Sequence, residues 1–207
     1  MGSFFEPIIL YFVLFFSGQA VNGGAEISFS FSRELSLIFL YNVPSIALIW
    51  YLLMKNGGLK WSALRPGKGD VFSAAWAFPG LALSGFTIAL VSPHFTGIPQ
   101  APQIIPPSGF LPWLLLSFSC ISTGYLEEGF FRFYLLSKRQ EMGMSDTKAA
   151  IISTLMFSLC HIYEGPWGFL NAAISGLLLA YIFLRYRSLH GIALAHGLYN
   201  ILAYVLS

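Results

Sequence analysis

Two adjacent carboxylates and an arginine stand where so apolar a chain should carry none. They are Glu127, Glu128 and Arg132, within Leu126-Glu127-Glu128-Gly129-Phe130-Phe131-Arg132. Lipid offers such groups no water, so they must be buried against partners or line a wet cavity. Helical geometry divides their tasks. Glu128 and Arg132 are four residues apart and share a face, which permits an ion pair within one helix. Glu127 points about 100° away and is left to face something else. His161, His196 and Asn200 complete the polar set at membrane depth. His196 and Asn200 also share one face, and Phe157 stands one turn before His161, placed to pack under its imidazole.

A carboxylate and a neutral imidazole in a low-dielectric cavity can activate a water molecule. Donor N–H groups on one face, such as His196 and Asn200 would supply, can stabilise the oxyanion of a tetrahedral intermediate. Together they suit peptide-bond hydrolysis without a covalent enzyme intermediate. Each residue alone has a plainer reading: an intramembrane His or Asn is often a helix–helix hydrogen bond, and a Glu128–Arg132 pair could be a structural bridge. Depth argues for the set. Counted along each helix from the cation in its basic connection, Glu127 lies about 17 Å from Lys138, His161 about 20 Å from Lys148 and His196 about 14 Å from Arg187. Three separate spans put their polar groups at one level.

The elements that position them are membrane helices. Hydrophobic residues make up 56% of the 207, charged residues 10%, and mean hydropathy is +0.70. A soluble domain carries about 25% charge. Apolar stretches fall at roughly 6–22, 34–54, 71–92, 110–137, 148–163, 166–185 and 190–206. The expectation is an all-α, polytopic transmembrane bundle of about seven spans around a polar intramembrane cavity. It forms a single domain over 1–207, with three spans in 1–109 and the motif-bearing spans in 110–207. Pro44 and Pro79 should kink the second and third spans.

The connections alternate in charge. Lys55, Lys60, Arg65, Lys68, Lys138, Arg139, Lys148, Arg185 and Arg187 fall on one side, and Arg33 alone on the other. The positive-inside rule puts the basic connections in the cytoplasm, with the N-terminus inside, the C-terminus outside and 93–109 as an outer loop. No Lys or Arg precedes the first apolar stretch, which argues for a mature span rather than a signal peptide. The net charge of +2 gives no reason to expect nucleic-acid binding. Cys120 and Cys160 read as small apolar packers, not as a disulfide framework or metal cluster. Ala172, Gly176 and Ala180 put small residues on one face of the sixth span, as close helix packing requires.

Glu127-Glu128-x-x-x-Arg132, Phe157-x-x-x-His161 and His196-x-x-x-Asn200 resemble, in order and spacing, the three motifs of the CAAX-protease and bacteriocin-processing family. These are the Abi family of glutamate intramembrane proteases, which includes the Ras-converting endopeptidase. The resemblance covers about 116–206. It implies Glu127 as the catalytic carboxylate, His161 helping to position and activate the water, and His196 with Asn200 at the oxyanion. Glu128 and Arg132 would support Glu127. No metal or other cofactor is implied. The partners expected are the lipid bilayer and a membrane-associated peptide or protein substrate. Small size and compact loops suggest a bacterial cytoplasmic membrane. A zinc site is disfavoured because there is no His-Glu-x-x-His and Asn200 is a poor zinc ligand. A transporter would call for repeats with broken helices. A Cys160–His161 thiol dyad is opposed by the 100° between adjacent helical residues. A non-enzymatic peptide-binding immunity or scaffold protein is the remaining alternative.

Overall fold

The computed structural model describes residues 2–16, 26–57 and 64–207 and is built of helices apart from one pair of short strands. Residues 17–22 of the first apolar stretch, and Lys60, lie outside the described residues. Helix α1 is Gly2–Tyr11, continued by a π-helical turn Phe12–Phe16. Helix α2 runs from Phe31–Ser36 through a π-helical stretch, Leu37–Asn42, into Val43–Gly57. Helix α3 is Lys68–Val91. Helix α4 is Phe110–Glu128, continued by a π-helical stretch, Gly129–Tyr134, and by Leu135–Ser137. Helices α5, α6 and α7 are Asp146–Leu159, Gly165–Tyr186 and Leu189–Leu206.

Every apolar stretch thus contributes a helix, but they differ in reach. Four are long and apolar enough to cross a bilayer: Phe31–Lys55, Lys68–His94, Ile162–Tyr186 and Leu189–Leu206. The helical run 110–137 is as long but carries Glu127, Glu128 and Arg132. Phe5–Phe15 is shorter. Helix α5 has 14 residues, about 21 Å of rise against a hydrocarbon core of about 30 Å. The fifth stretch also ends early. Its last residues are a turn and a short 3-10 helix, Ile162–Glu164, so His161 lies beyond the helix it was expected to occupy. Gly165 (φ 79°) turns the chain from there into α6, with Pro166 in the first helical turn.

A π-helical stretch, Leu37–Asn42, stands just before Pro44. Proline lacks an N–H and its ring crowds the carbonyl four residues back, which favours a wider turn. Pro79 is accommodated within a continuous α3. Large apolar side chains face outward, Leu40 at 77% and Val71 at 70% exposure among them. That surface suits lipid, not water. The interior is built around α4. All six residues of its Gly129–Tyr134 stretch are buried, and α5, α6 and α7 all pack against that stretch.

The loops sort into two ends. At one, Glu6 accepts hydrogen bonds from Tyr134 and Lys138, Arg139 pairs with Asp146, and His190 meets the carbonyl of Leu64. At the other, strand β1 (Glu26–Ser28) pairs in parallel with strand β2 (Gln103–Ile105), Glu26 opposite Gln103. Phe95 packs on Trp167 at this second end. The first end holds the cation-rich connections and the second those nearly free of cations, as the charge pattern required. The strand pair was not expected from the sequence. It ties the loop 93–109 to the segment before α2.

Candidate active site

Close backbone contact between α4 and α7 sets the site's dimensions. A Cβ on Gly124 would come within 2.5 Å of the Ala193 carbonyl oxygen, and one on Gly197 within 2.7 Å of the Ile121 Cα. Only glycine allows the two backbones to lie this close. One turn beyond Gly124, Glu127 and Glu128 therefore reach across to His196 on α7.

The imidazole of His196, 5% exposed, has a carboxylate at each nitrogen. Nδ1 lies 2.9 Å from Glu128 Oε1, and Nε2 lies 3.5 Å from Glu127 Oε2. The ion pair read from the sequence is present, with Arg132 Nε 3.2 Å from Glu128 Oε2 and both side chains at 0% exposure. The two atoms are close but poorly aligned for a hydrogen bond, and Arg132 Nη1 has no partner among the described residues. The guanidinium is held mainly by its surroundings. Nη2 donates to the Gly176 carbonyl at 3.3 Å, and Cζ stands 4.4 Å from the Phe157 ring centroid. The small-residue face of α6 serves this packing. A Cβ on Gly176 would lie 3.0 Å from Thr154 and 3.2 Å from Phe157.

Phe157 joins the two histidines. Its ring lies 4.6 Å from that of His161 and 5.8 Å from that of His196. His161 Nδ1 stands 2.9 Å from the Phe157 carbonyl oxygen. A carbonyl only accepts, so Nδ1 carries the proton and Nε2 of the neutral ring is left as an acceptor. Glu127 is half-buried, its side chain 16% exposed, and is the carboxylate of the pair with access to space outside the packed core. Asn200, one turn after His196, is half-buried and makes no side-chain hydrogen bond among the described residues.

The structure therefore brings Glu127, Glu128, Arg132, Phe157, His161 and His196 into one connected cluster. Asn200 shares the face of His196 but makes no hydrogen bond into that cluster among the described residues. Arg132 pairs with Glu128 alone, as helical spacing led one to expect, and Glu127 faces His196, whose ring offers each carboxylate a different nitrogen. No three His, Cys, Asp or Glu side chains among the described residues are placed to hold a metal ion.

The family model for Type II CAAX prenyl endopeptidase Rce1-like proteins matches residues 107–202. The match covers just under half of the chain, and over that segment the chain is similar to this family. The match spans α4 to α7 and all three motifs, and it points to a membrane protease. Comparison with curated proteins gives no match, and neither does comparison with solved structures. Helices α1 to α3 lie outside the matched segment, yet all three reach it, α3 through the hydrogen bond from Ser84 to Asn171. Tyr11 donates to the Met156 carbonyl at 2.9 Å, and Asn42 to the hydroxyls of Ser122 and Thr123.

Reading the sequence missed the residues on α2. Glu34, beside Arg33 at the start of the second apolar stretch, is 3% exposed, and Asn42 is 0% exposed. Tyr41 lies within electrostatic reach of Glu127. A signal was available on the partner helix. Ser119, Ser122, Thr123 and Glu127 recur at helical spacing along one face of α4, and a polar face there needs a polar neighbour.

Proposed function

We propose that the protein is an intramembrane endopeptidase of the glutamate type, hydrolysing a peptide bond in a membrane-associated peptide or protein. The observation that carries this reading is the asymmetry of the acidic pair. Glu128 is enclosed with Arg132 and His196, while Glu127 keeps access and makes a looser 3.5 Å contact to His196 Nε2. A carboxylate so placed is free to act on something that arrives.

In this mechanism Glu127 takes a proton from water, and the Nε2 lone pair of His161 helps to orient that water. The water oxygen bonds to the carbonyl carbon of the substrate. The resulting oxyanion is met by the Asn200 amide and by Nε2–H of His196, whose Nδ1 is anchored on Glu128. Collapse of the intermediate breaks the C–N bond, and the proton on Glu127 passes to the departing amine. Arg132 pairs with Glu128, whose other oxygen holds the imidazole in place. No metal takes part in these steps.

The test is comparative peptidomics of membranes bearing the wild-type chain or Glu127→Ala, with and without exhaustive chelation. The expected result is a set of cleavage products that depends on Glu127 and survives chelation. Loss of the products on chelation would overturn the metal-independent mechanism. Identical peptidomes, with intact peptide recovered on the purified protein, would favour the binding-protein reading instead.

A further inference from the structure

We propose that the contact between α2 and α4, lined by Asn42, Ser122 and Thr123, is a hydrated path that brings water to Glu127 from the end of the bundle bearing Arg33 and Glu34. The proposal rests on the reading of Glu127 as the base that consumes that water.

Polar groups mark the path at every turn. At its mouth the Arg33 side chain is 44% exposed and reaches the buried Glu34 at 2.7 Å. Ser119 on α4 donates to the other oxygen of Glu34 at 2.5 Å. About one turn deeper, Asn42 Nδ2 donates to Ser122 Oγ at 2.8 Å and Thr123 Oγ1 at 3.1 Å. Ser119, Ser122, Thr123 and Glu127 follow one face of α4 over about 12 Å of rise. Tyr41, beside Asn42, then lies within electrostatic reach of Glu127. The π-helical stretch Leu37–Asn42 spans the same part of α2.

A second asparagine at membrane depth shows what a dry helix contact looks like. Asn171 uses both ends of its amide. Oδ1 accepts from Ser84 at 2.9 Å and Nδ2 donates to the Tyr199 hydroxyl at 2.9 Å. Asn42 is more deeply buried, at 0% exposure, yet its Oδ1 has no partner among the described residues. Ser122 Oγ donates to the Ser119 carbonyl, so that hydroxyl cannot serve Oδ1. A buried carbonyl oxygen requires a donor, and water is the one that fits a contact lined by hydroxyls. Ser122 and Thr123 are half-buried rather than sealed, which leaves room beside them.

The experiment is thiol accessibility in the full-length protein in sealed vesicles, with Cys120 and Cys160 replaced by alanine. Ser122→Cys and Thr123→Cys are treated separately with a small, charged, membrane-impermeant thiosulfonate, which reacts only where water is present. Phe118→Cys, on the lipid-facing side of α4, is the reference. The expected result is reaction at least ten-fold faster at both positions than at Phe118→Cys, from the Arg33 side only. Adding Asn42→Leu should slow it about ten-fold. Rates no faster than at Phe118→Cys, or access only from the opposite side, would overturn the path. Two positions guard against one variant that fails to fold. The readout does not depend on hydrolysis, so labelling in an inactive protein would count against the Glu127 reading and leave the path standing.

Discussion

Helix α7 is tied to its neighbours by two polar clusters of opposite character. The first, at the basic end, is centred on Asp70 and closed. Oδ2 accepts from the Gly67 N–H at 2.7 Å, and Oδ1 accepts from the Gly191 N–H at 3.1 Å and from the Ser188 hydroxyl, which in turn accepts from Ser73. One carboxylate thereby caps the first turns of α3 and α7 together. The second cluster, around His196, is open. Arg132 Nη1 lacks a partner among the described residues, the Glu128–Arg132 pair is misaligned, and Glu127 approaches His196 only to 3.5 Å. A closed cluster spends its groups on holding helices together. An open one keeps them for an arriving molecule, and an incomplete polar network in a native interior calls for that kind of explanation.

Exchanging the central carboxylate in each cluster puts this contrast to its hardest test. Glu127→Gln keeps shape and removes the base, so turnover should fall by about 10²–10⁴-fold with the melting temperature unchanged. Asp70→Ala should do the reverse. It orphans buried donors at a cost of about 1–3 kcal/mol and leaves turnover per folded molecule intact. Kinetics and thermal melts on purified variants check both, and an active Glu127→Gln would break the contrast outright.

Glu128 belongs to the open cluster but does structural work within it. Glu128→Gln strips the buried Arg132 of its counter-charge, a loss of about 3–5 kcal/mol. Folded yield and activity should therefore fall together, unlike Glu127→Gln. Equal stability of the two variants would remove the division of labour between the adjacent acids.

Asn200 sharpens the boundary of the cluster, because it sits at its edge with its amide uncommitted. As an oxyanion donor, its replacement in Asn200→Ala should lower turnover by about 10²–10³-fold and change apparent substrate affinity much less. As a helix–helix bond, it would cost about 0.6–2 kcal/mol of stability and spare turnover. Steady-state kinetics on folded protein separates the two.

What the sequence disclosed followed from short-range geometry. The Glu128–Arg132 pair and the Phe157–His161 packing lie within four residues of each other, and helical spacing alone placed them. The charge alternation sorted the loops correctly because it samples the whole chain. The proximity of Glu127 to His196 had a different origin. It depends on Gly124 meeting Gly197, a contact between segments more than 70 residues apart that no local period encodes. The burial of Glu34 has a related origin. Its neighbour Arg33 pairs with one of its oxygens, and the distant Ser119 hydroxyl satisfies the other. The early end of α5 was hidden because residues 160–163 are as apolar as the helix before them, apart from His161 itself.

The smallest effect is expected at the surface, where an ion pair has neither the closure of the Asp70 cluster nor the openness of the site. Asp146 hydrogen-bonds Arg139 and lies 3.8 Å from Arg187, its side chain 56% exposed. The hydrogen bond from Arg139 holds the Asp146 carboxyl below its ordinary range. A depressed carboxyl stabilises the fold when ionised. Its contribution is therefore complete at neutral pH and is lost as pH falls below the ordinary Asp value of about 4. Exposure to water keeps it slight. Asp146→Asn should melt marginally below wild type at pH 7 and together with it at pH 3, with turnover per folded molecule unchanged at pH 7. A gap that widened on acidification would reverse the sign and remove Arg139 as the cause. A loss of turnover would mean that the basic end of α5 acts on His161 at its far end, and the separation of holding clusters from acting ones would no longer describe this bundle.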